Sequence, residues 1–266
     1  MREILRMITP GRRLFLFLDY DGTLVPIERT PDRAVLSPRR KRSLEALSER
    51  MFVCIVSGRS LADVRRRVGI DGLAYIGNHG LEASWGRRNW VHPQAKKRLP
   101  ALGQLLKRIE AQTERFPRLL IENKGVTGSV HFRRLDPVLV SPLRRIVADE
   151  VRRKEGAFVV TEGKKVLEIR PNLDWDKGMG IRKIMRWLPR EPEALRIFIG
   201  DDRTDEDAFL ALSGDSITIH VGRGRTTRAH YRLADVEQVW TFLANCLCVK
   251  TKIVPNLFAL SNFELN

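Results

Sequence analysis

Residues 14–18, Leu-Phe-Leu-Phe-Leu, are apolar without a break and run directly into Asp19-Tyr20-Asp21-Gly22-Thr23. A strand with one solvated face alternates apolar with polar residues, so this run predicts a strand covered on both sides, as in a parallel sheet between two helical layers. Residues 52–56, 197–199 and 217–221 repeat the pattern. Helical spacing lies between these runs, in a segment opening at Ser37-Pro38, in Leu61/Val64/Val68, in Ile181/Ile184/Met185/Leu188 and after Asp205. The alternation predicts an α/β fold around a parallel sheet.

Between about residue 86 and residue 173 the rhythm changes. Leu99, Leu102, Leu105, Leu106 and Ile109 predict a helix, residues 119–122 and 128–132 two consecutive strands, and Leu139, Leu143, Ile146 and Val147 a second helix, with two more strands ending at Ile169. Consecutive strands joined by glycine-containing turns pair antiparallel, so this segment reads as an inserted α+β module. The expected domains are residues 1–85 with 174–266 as the core and 86–173 as the insert.

Charge restricts the partners. The chain carries 48 Lys+Arg against 32 Asp+Glu, a formal +16, and residues 86–173 alone hold 20 Lys+Arg against 9 Asp+Glu. A basic surface favours phosphorylated small molecules or nucleic acid. The scattered placement of the basic residues, with few aromatics at stacking positions and no binding motif, argues against nucleic acid. No apolar run approaches the roughly 20 residues of a membrane-spanning helix, and the first one stops at Asp19, unlike a signal peptide. Cys54, Cys246 and Cys248 are odd in number and lack metal-ligand spacing, which suits a reducing cytoplasm. A monomer is expected, although nothing in the sequence fixes the oligomeric state.

Asp19 and Asp21 fall at the C-terminal edge of the first strand, where open parallel sheets hold their ligands. Two carboxylates pointing the same way from i and i+2 repel each other and call for a cation or a positive side chain. An Asp-Gly turn kept only for its backbone preferences is the plainer reading. The other strand ends weigh against it. Ser57-Gly58-Arg59 offers a hydroxyl and backbone amides for a phosphate, and Gly200-Asp201-Asp202-Arg203-Thr204-Asp205 offers three carboxylates for a hard cation such as Mg²⁺. Lys177, opening a helix, adds a compact positive charge.

Asp19-Tyr20-Asp21-Gly22-Thr23-Leu24, Ser57, Lys177 and Gly200-Asp201-Asp202-x-x-Asp205 together resemble the haloacid dehalogenase superfamily of phosphotransferases. The resemblance implies a Rossmann-like core, with Asp19 as nucleophile and Mg²⁺ ligand. It makes Asp21 the acid and base and a metal ligand through its carbonyl, assigns Ser57 and Lys177 to the phosphoryl oxygens, and completes the metal site with Asp201 and Asp202 or Asp205. The insert is similar to the α+β cap, of the type termed C2B, found in sugar-phosphate phosphatases of that superfamily.

Gly77-Asn78-His79-Gly80-Leu81-Glu82, Glu122-Asn123-Lys124 with Ser129-x-His131-x-Arg133, and Leu167-Glu168-Ile169-Arg170-Pro171 before Lys177-Gly178 resemble the trehalose-6-phosphate phosphatases more narrowly. This implies that Glu122, Lys124, Ser129 and Glu168 hydrogen-bond a disaccharide, while Arg59, Asn78, His79 and Arg133 help to place it or its phosphate. It also implies a cap that closes over the sugar. His131 and Arg133 are expected on one face of a strand whose other face is core. A phosphatase for sucrose, glucosylglycerate or mannosylglycerate phosphate would keep the core residues and change the cap contacts, and a non-catalytic regulator would have no reason to keep the set. The expected enzyme is thus a phosphoric monoester hydrolase acting on a small sugar phosphate through an aspartyl phosphate.

Overall fold

Every residue of strand β1 (Leu14–Asp19) is buried, and its side chains alternate between two separate cores. The chain is described by a computed structural model covering residues 2–249 except 10, 29, 164, 213, 215 and 225. It divides into two compact units, residues 1–90 with 175–266 and residues 91–174.

In the first unit, α1 (Arg2–Met7) precedes β1, followed by α2 (Pro38–Ser48), β2 (Phe52–Val56), α3 (Leu61–Val68), β3 (Ala74–Gly77), β4 (Glu82–Trp85) and β5 (Arg88–Val91). Later in the chain come α7 (Lys177–Met185), β10 (Leu195–Gly200), α8 (Arg203–Leu212), β11 (Ile217–Val221), β12 (Tyr231–Leu233) and α9 (Val236–Cys248). Leu14, Leu16 and Leu18 share a core with Leu44 of α2, Val64 of α3 and Phe242 of α9. Phe15 and Phe17 share the other with Ile181 of α7 and Phe209 of α8. Helices cover both faces, which is why the strands lack polar alternation.

The eight strands run in the order β12-β11-β10-β1-β2-β3-β4-β5, parallel from β12 to β3, with β4 antiparallel to β3. Strand β1 therefore lies between β2 and β10, with Asp19 level with Val56 and Leu18 with Ile199. The chain leaves β1 toward β2 on one side and reaches β10 on the other, the switch point where such sheets bind ligands. Two boundaries differ from the sequence reading. Helix α8 starts at Arg203, before Asp205 instead of after it, and α7 stops at Met185, so that Leu188 packs from the following loop.

The second unit holds α4 (Pro93–Lys97), α5 (Leu99–Gln112), β6 (Leu120–Asn123), β7 (Gly128–His131), α6 (Pro137–Arg152), β8 (Phe158–Gly163) and β9 (Val166–Pro171). Its antiparallel sheet runs β6-β7-β9-β8. Leu105 and Ile109 of α5 and Leu143 and Val147 of α6 pack on Val130, Leu167 and Ile169. Strand β7 ends at His131, one residue early: Phe132 is still core, but the chain turns there and Asp136 caps α6, so Arg133 sits in an exposed turn instead of on the strand.

Phe17 is 1% exposed and its ring lies 5.8 Å from that of Phe52. Phe17→Ala should cost about 3–5 kcal/mol through lost transfer energy and the cavity left behind. Urea denaturation measures this, and a loss below about 1 kcal/mol would contradict the packing described.

Candidate active site

Lys177 opens α7, where the Asp176 side chain caps the helix by accepting from Met179 N at 2.9 Å. Its side chain is 3% exposed, and Nζ donates to Asp19 Oδ1 and Asp205 Oδ1, each at 2.7 Å. The other Asp205 oxygen accepts from the backbone N of Asp201 at 3.0 Å and of Asp202 at 2.9 Å. One carboxylate thus ties α7 to the loop after β10, close to Asp19. Asp19, Asp201 and Asp205 each bring an oxygen into a group lying within 4.8 Å of one another, the chemistry of a site for a hard cation. Gly22 at φ +88° and Gly200 leave room for it, since a Cβ on either would collide with the Asp201 or the Asp205 carboxylate.

Three carboxylates, if all were ionised, would outnumber the one ammonium in this pocket, and the carboxyls respond by holding their protons more tightly. Burial pushes the Asp19 carboxyl well up, Lys177 pulls against it, and the charges of Asp205 and Asp201 push it further. Burial and then the Asp205 charge raise Asp201 to about 8. Burial alone would lower Lys177, but Asp19 and Asp205 outweigh it and hold the ammonium charged.

Asp21 is engaged elsewhere. Arg59 Nε and Nη2 donate to its two oxygens at 2.7 Å each, a bidentate pair, and Arg59 Nη1 donates to Asp63 Oδ2 at 2.9 Å. Asp63, in the first turn of α3, also accepts from Arg67 Nε at 2.7 Å and from Arg66. Burial would raise the Asp63 carboxyl, yet the hydrogen bonds from Arg67 and Arg59 win and hold it below its ordinary value.

Ser57, 1% exposed, accepts through Oγ from Arg59 N at 3.1 Å, and its carbonyl accepts from His79 N at 3.1 Å. Asn78 and His79 are both buried at positive φ, 47° and 56°. Asn78 Nδ2 donates to Glu82 Oε2 at 2.6 Å, and the same oxygen accepts from Leu61 N at 2.9 Å. The His79 ring fills the space above Gly58, where a Cβ would stand 2.5 Å from Cε1.

The remaining predicted residues lie in the second unit. Glu122, Ser129, Glu168 and Thr161 are directly paired across the four strands, one row on the face away from the helices. Lys124 Nζ donates to both Glu168 oxygens at 3.1 and 3.0 Å, Ser129 Oγ lies 2.9 Å from each, and His131 Nε2 meets Glu122 Oε2 at 3.1 Å. Thus Asp19, Lys177, Asp201 and Asp205 converge, Asp21 and Arg59 form a second group with Asp63, and Glu122, Lys124, Ser129 and Glu168 a third. Asp202 keeps an exposed side chain outside the carboxylate group, and Arg133 stands outside the row. Sequence reasoning singled out Glu82 within the Gly77–Glu82 block but gave it no role, and it missed Asp63, although Arg59-x-x-x-Asp63-x-x-x-Arg67 is legible as opposite charges at i, i+4 spacing on one helix face.

The family model described as trehalose-phosphatase matches residues 17–237. The chain is 35% identical over 262 residues to trehalose-phosphate phosphatase B of Arabidopsis thaliana, covering 92% of this chain and 69% of that protein. It is similar to the crystal structure of a trehalose-6-phosphate phosphatase related protein, with TM-score 0.78 and 27% identity over 88% of this chain and 97% of that one. A haloacid dehalogenase-like hydrolase from Bacteroides thetaiotaomicron, 15% identical with TM-score 0.63 over 88% of this chain and 98% of its own, shares the fold.

The raised Asp201 carboxyl gives a pH dependence with a definite sign. Its folded pKa of about 8 exceeds the roughly 3.9 of an unfolded Asp, so the folded chain binds the extra proton and stability falls as pH rises from about 4 to about 8, then levels. Thermal midpoints recorded across that window in the presence of a chelator check this, and a midpoint that rises with pH would contradict it.

Proposed function

Because this chain belongs to the trehalose-phosphatase family, whose members are phosphoric monoester hydrolases with a haloacid dehalogenase-like fold, we propose that it hydrolyses trehalose 6-phosphate with Asp19 as nucleophile. The observation that carries this reading is the Lys177 ammonium held 2.7 Å from both Asp19 and Asp205, with Asp201 beside them at the switch point of the sheet. A phosphoryl group in transfer demands an aligned nucleophile and neutralisation of charge, and little else from the protein.

An Asp19 carboxylate oxygen attacks phosphorus while the bond from phosphorus to the sugar oxygen breaks. Asp21 gives its proton to that leaving oxygen. The ionised Asp21 then takes a proton from water, whose oxygen attacks the aspartyl phosphate. The bond to Asp19 breaks, the carboxylate is restored and phosphate leaves. Ser57 and Lys177 hold the phosphoryl oxygens through both steps. Three crowded carboxylates, two with raised pKa, suit Mg²⁺, which Asp19, Asp201 and Asp205 would hold together with the Asp21 carbonyl, Asp202 standing outside the group. When bound, Mg²⁺ supplies the positive charge that offsets these carboxylates and the phosphoryl oxygens.

In this reading Glu122, Lys124, Ser129 and Glu168 recognise the sugar, because carboxylates, an ammonium and a hydroxyl joined in one polar row can both accept from and donate to hydroxyls. Arg59, Asn78, His79 and Arg133 help to place the ester.

Two measurements test the proposal. Asp19→Asn should keep the circular dichroism of the parent and lose at least about 10³-fold in kcat, since an amide is a poor nucleophile; appreciable turnover by this variant would exclude Asp19 from that role. In a panel of sugar phosphates with Mg²⁺, trehalose 6-phosphate should exceed the sucrose, glucosylglycerate and mannosylglycerate esters by at least about 10²-fold in kcat/KM, because a wrong sugar leaves buried polar groups unpaired. Equal rates across the panel would leave a phosphatase without the assigned substrate.

A further inference from the structure

Asp63 meets Arg59 alone among the residues given a role above, and its partners are unusual for a helix-surface acid. Its carboxylate gathers three guanidinium groups, those of Arg59, Arg66 and Arg67, and its side chain is 15% exposed. The backbone beneath it is fixed as well. Asp63 N donates to Ser60 Oγ at 3.2 Å in the N-cap of α3, and Leu61 N donates to Glu82 at 2.9 Å. Arg67 reaches on to Asp32 Oδ1 at 3.1 Å.

The Arg59 fork is divided between two acids. Nε and Nη2 face Asp21, while Nη1 faces Asp63, and Cζ lies 5.7 Å from the centroid of the Tyr20 ring, whose hydroxyl is anchored on the Ala34 carbonyl at 2.9 Å. A planar guanidinium gripped at one nitrogen and stacked on a ring keeps its remaining edge in one orientation. That edge is what Asp21 meets.

We propose that Asp63 is a positioning residue: by holding Arg59 Nη1 on the first turn of α3, it fixes the guanidinium edge that orients the Asp21 carboxylate. The inference rests on the reading of Asp21 as acid and base given above. Without Asp63 the guanidinium swings with the carboxylate, and the pair loses the fixed geometry from which Asp21 serves the leaving oxygen. The effect falls chiefly on kcat, because Asp21 acts in the chemical step, whereas of the groups read as placing the ester only Arg59 is disturbed, and Ser57, Lys177 and the sugar contacts are untouched. A misplacement of about 1 Å at a reacting group, caused from a distance, costs up to about 10²-fold in rate.

The experiment is a double-mutant cycle on the full chain with Mg²⁺, read with trehalose 6-phosphate and separately with a simple aryl phosphate. Asp63→Asn should lower kcat by about ten- to a hundredfold with KM within about twofold of the parent, and Asp63→Glu should recover most of the loss. In an Arg59→Ala background Asp63→Asn should cost nothing further, because the group it positions is gone. Arg67→Gln, which loosens the same Asp63 oxygen, should give a smaller kcat loss that also vanishes in that background, and it serves if Asp63→Asn does not fold. A fall in thermal midpoint with parental kcat and KM, or losses that multiply in the double variant, would overturn the proposal. If the parent cleaves the aryl phosphate but not trehalose 6-phosphate, the assigned substrate is wrong while the cycle is still read on the aryl ester.

Discussion

One buried ammonium fixes the centre of this molecule. Lys177 reaches 2.7 Å from both Asp19 and Asp205, and those three residues come from β1, α7 and α8, elements separated by up to 186 positions in the chain. Withdrawing such charges from water costs several kcal/mol per ion, which only close geometry and further hydrogen bonds offset. Asp205 meets that condition with one bond from Lys177 and two from the backbone of its own loop. Asp19 and Asp201 do not, and their raised carboxyls express the shortfall. Added positive charge would return both carboxyls toward their ordinary range, which is the electrostatic character of a candidate site for a hard cation.

The sheet makes this convergence possible. Because β1 is covered on both faces and lies between β2 and β10, its C-terminal end has nowhere to point except the crevice between the loops after those two strands. Around the anionic centre stands a second tier of opposite sign, in which Arg59, Arg66 and Arg67 converge on Asp63. The inner tier is short of positive charge, and the outer tier holds a cation against the edge of the site. Asp21 is the carboxylate that belongs to both, in the same strand-end segment as Asp19 but paired with Arg59.

Much of this was legible in the sequence. Unbroken apolar runs located β1, β2, β10 and β11, since burial on both faces leaves a mark that needs no partner to be recognised. Polar residues directly at the ends of those runs, two carboxylates and a hydroxyl, picked out Asp19, Asp201 and Ser57 for the same reason. Short elements were harder. Strands β4 and β5 have four residues each, too few for an alternation to stand out, and they carry the sheet past β3 without a sequence signal. Helix α9 has Val239, Phe242, Leu243 and Cys246 at helical spacing and was readable, but it lies beyond the last motif. Arg133 was misplaced because alternation says nothing about where a strand stops, and the stop is set by the turn at Phe132 and the Asp136 cap. The bidentate pairing of Arg59 with Asp21 depends on tertiary geometry that no spacing rule carries.

Both units share a principle of preorganisation. In the second unit Glu168 already receives Lys124 and Ser129, and Glu122 already meets His131, before any ligand is considered. A polar row whose members satisfy one another loses little side-chain entropy when hydroxyls join it, so recognition is not offset by ordering. The same pairing sets a threshold, since a ligand hydroxyl must match these contacts or leave a half-buried carboxylate with fewer partners than before. In the proposed reading, discrimination would rest on geometry more than on charge. That explains how a segment with 18 basic residues confines its candidate recognition row to two carboxylates, one ammonium, one imidazole and hydroxyls, leaving the bulk of its positive charge to other surfaces.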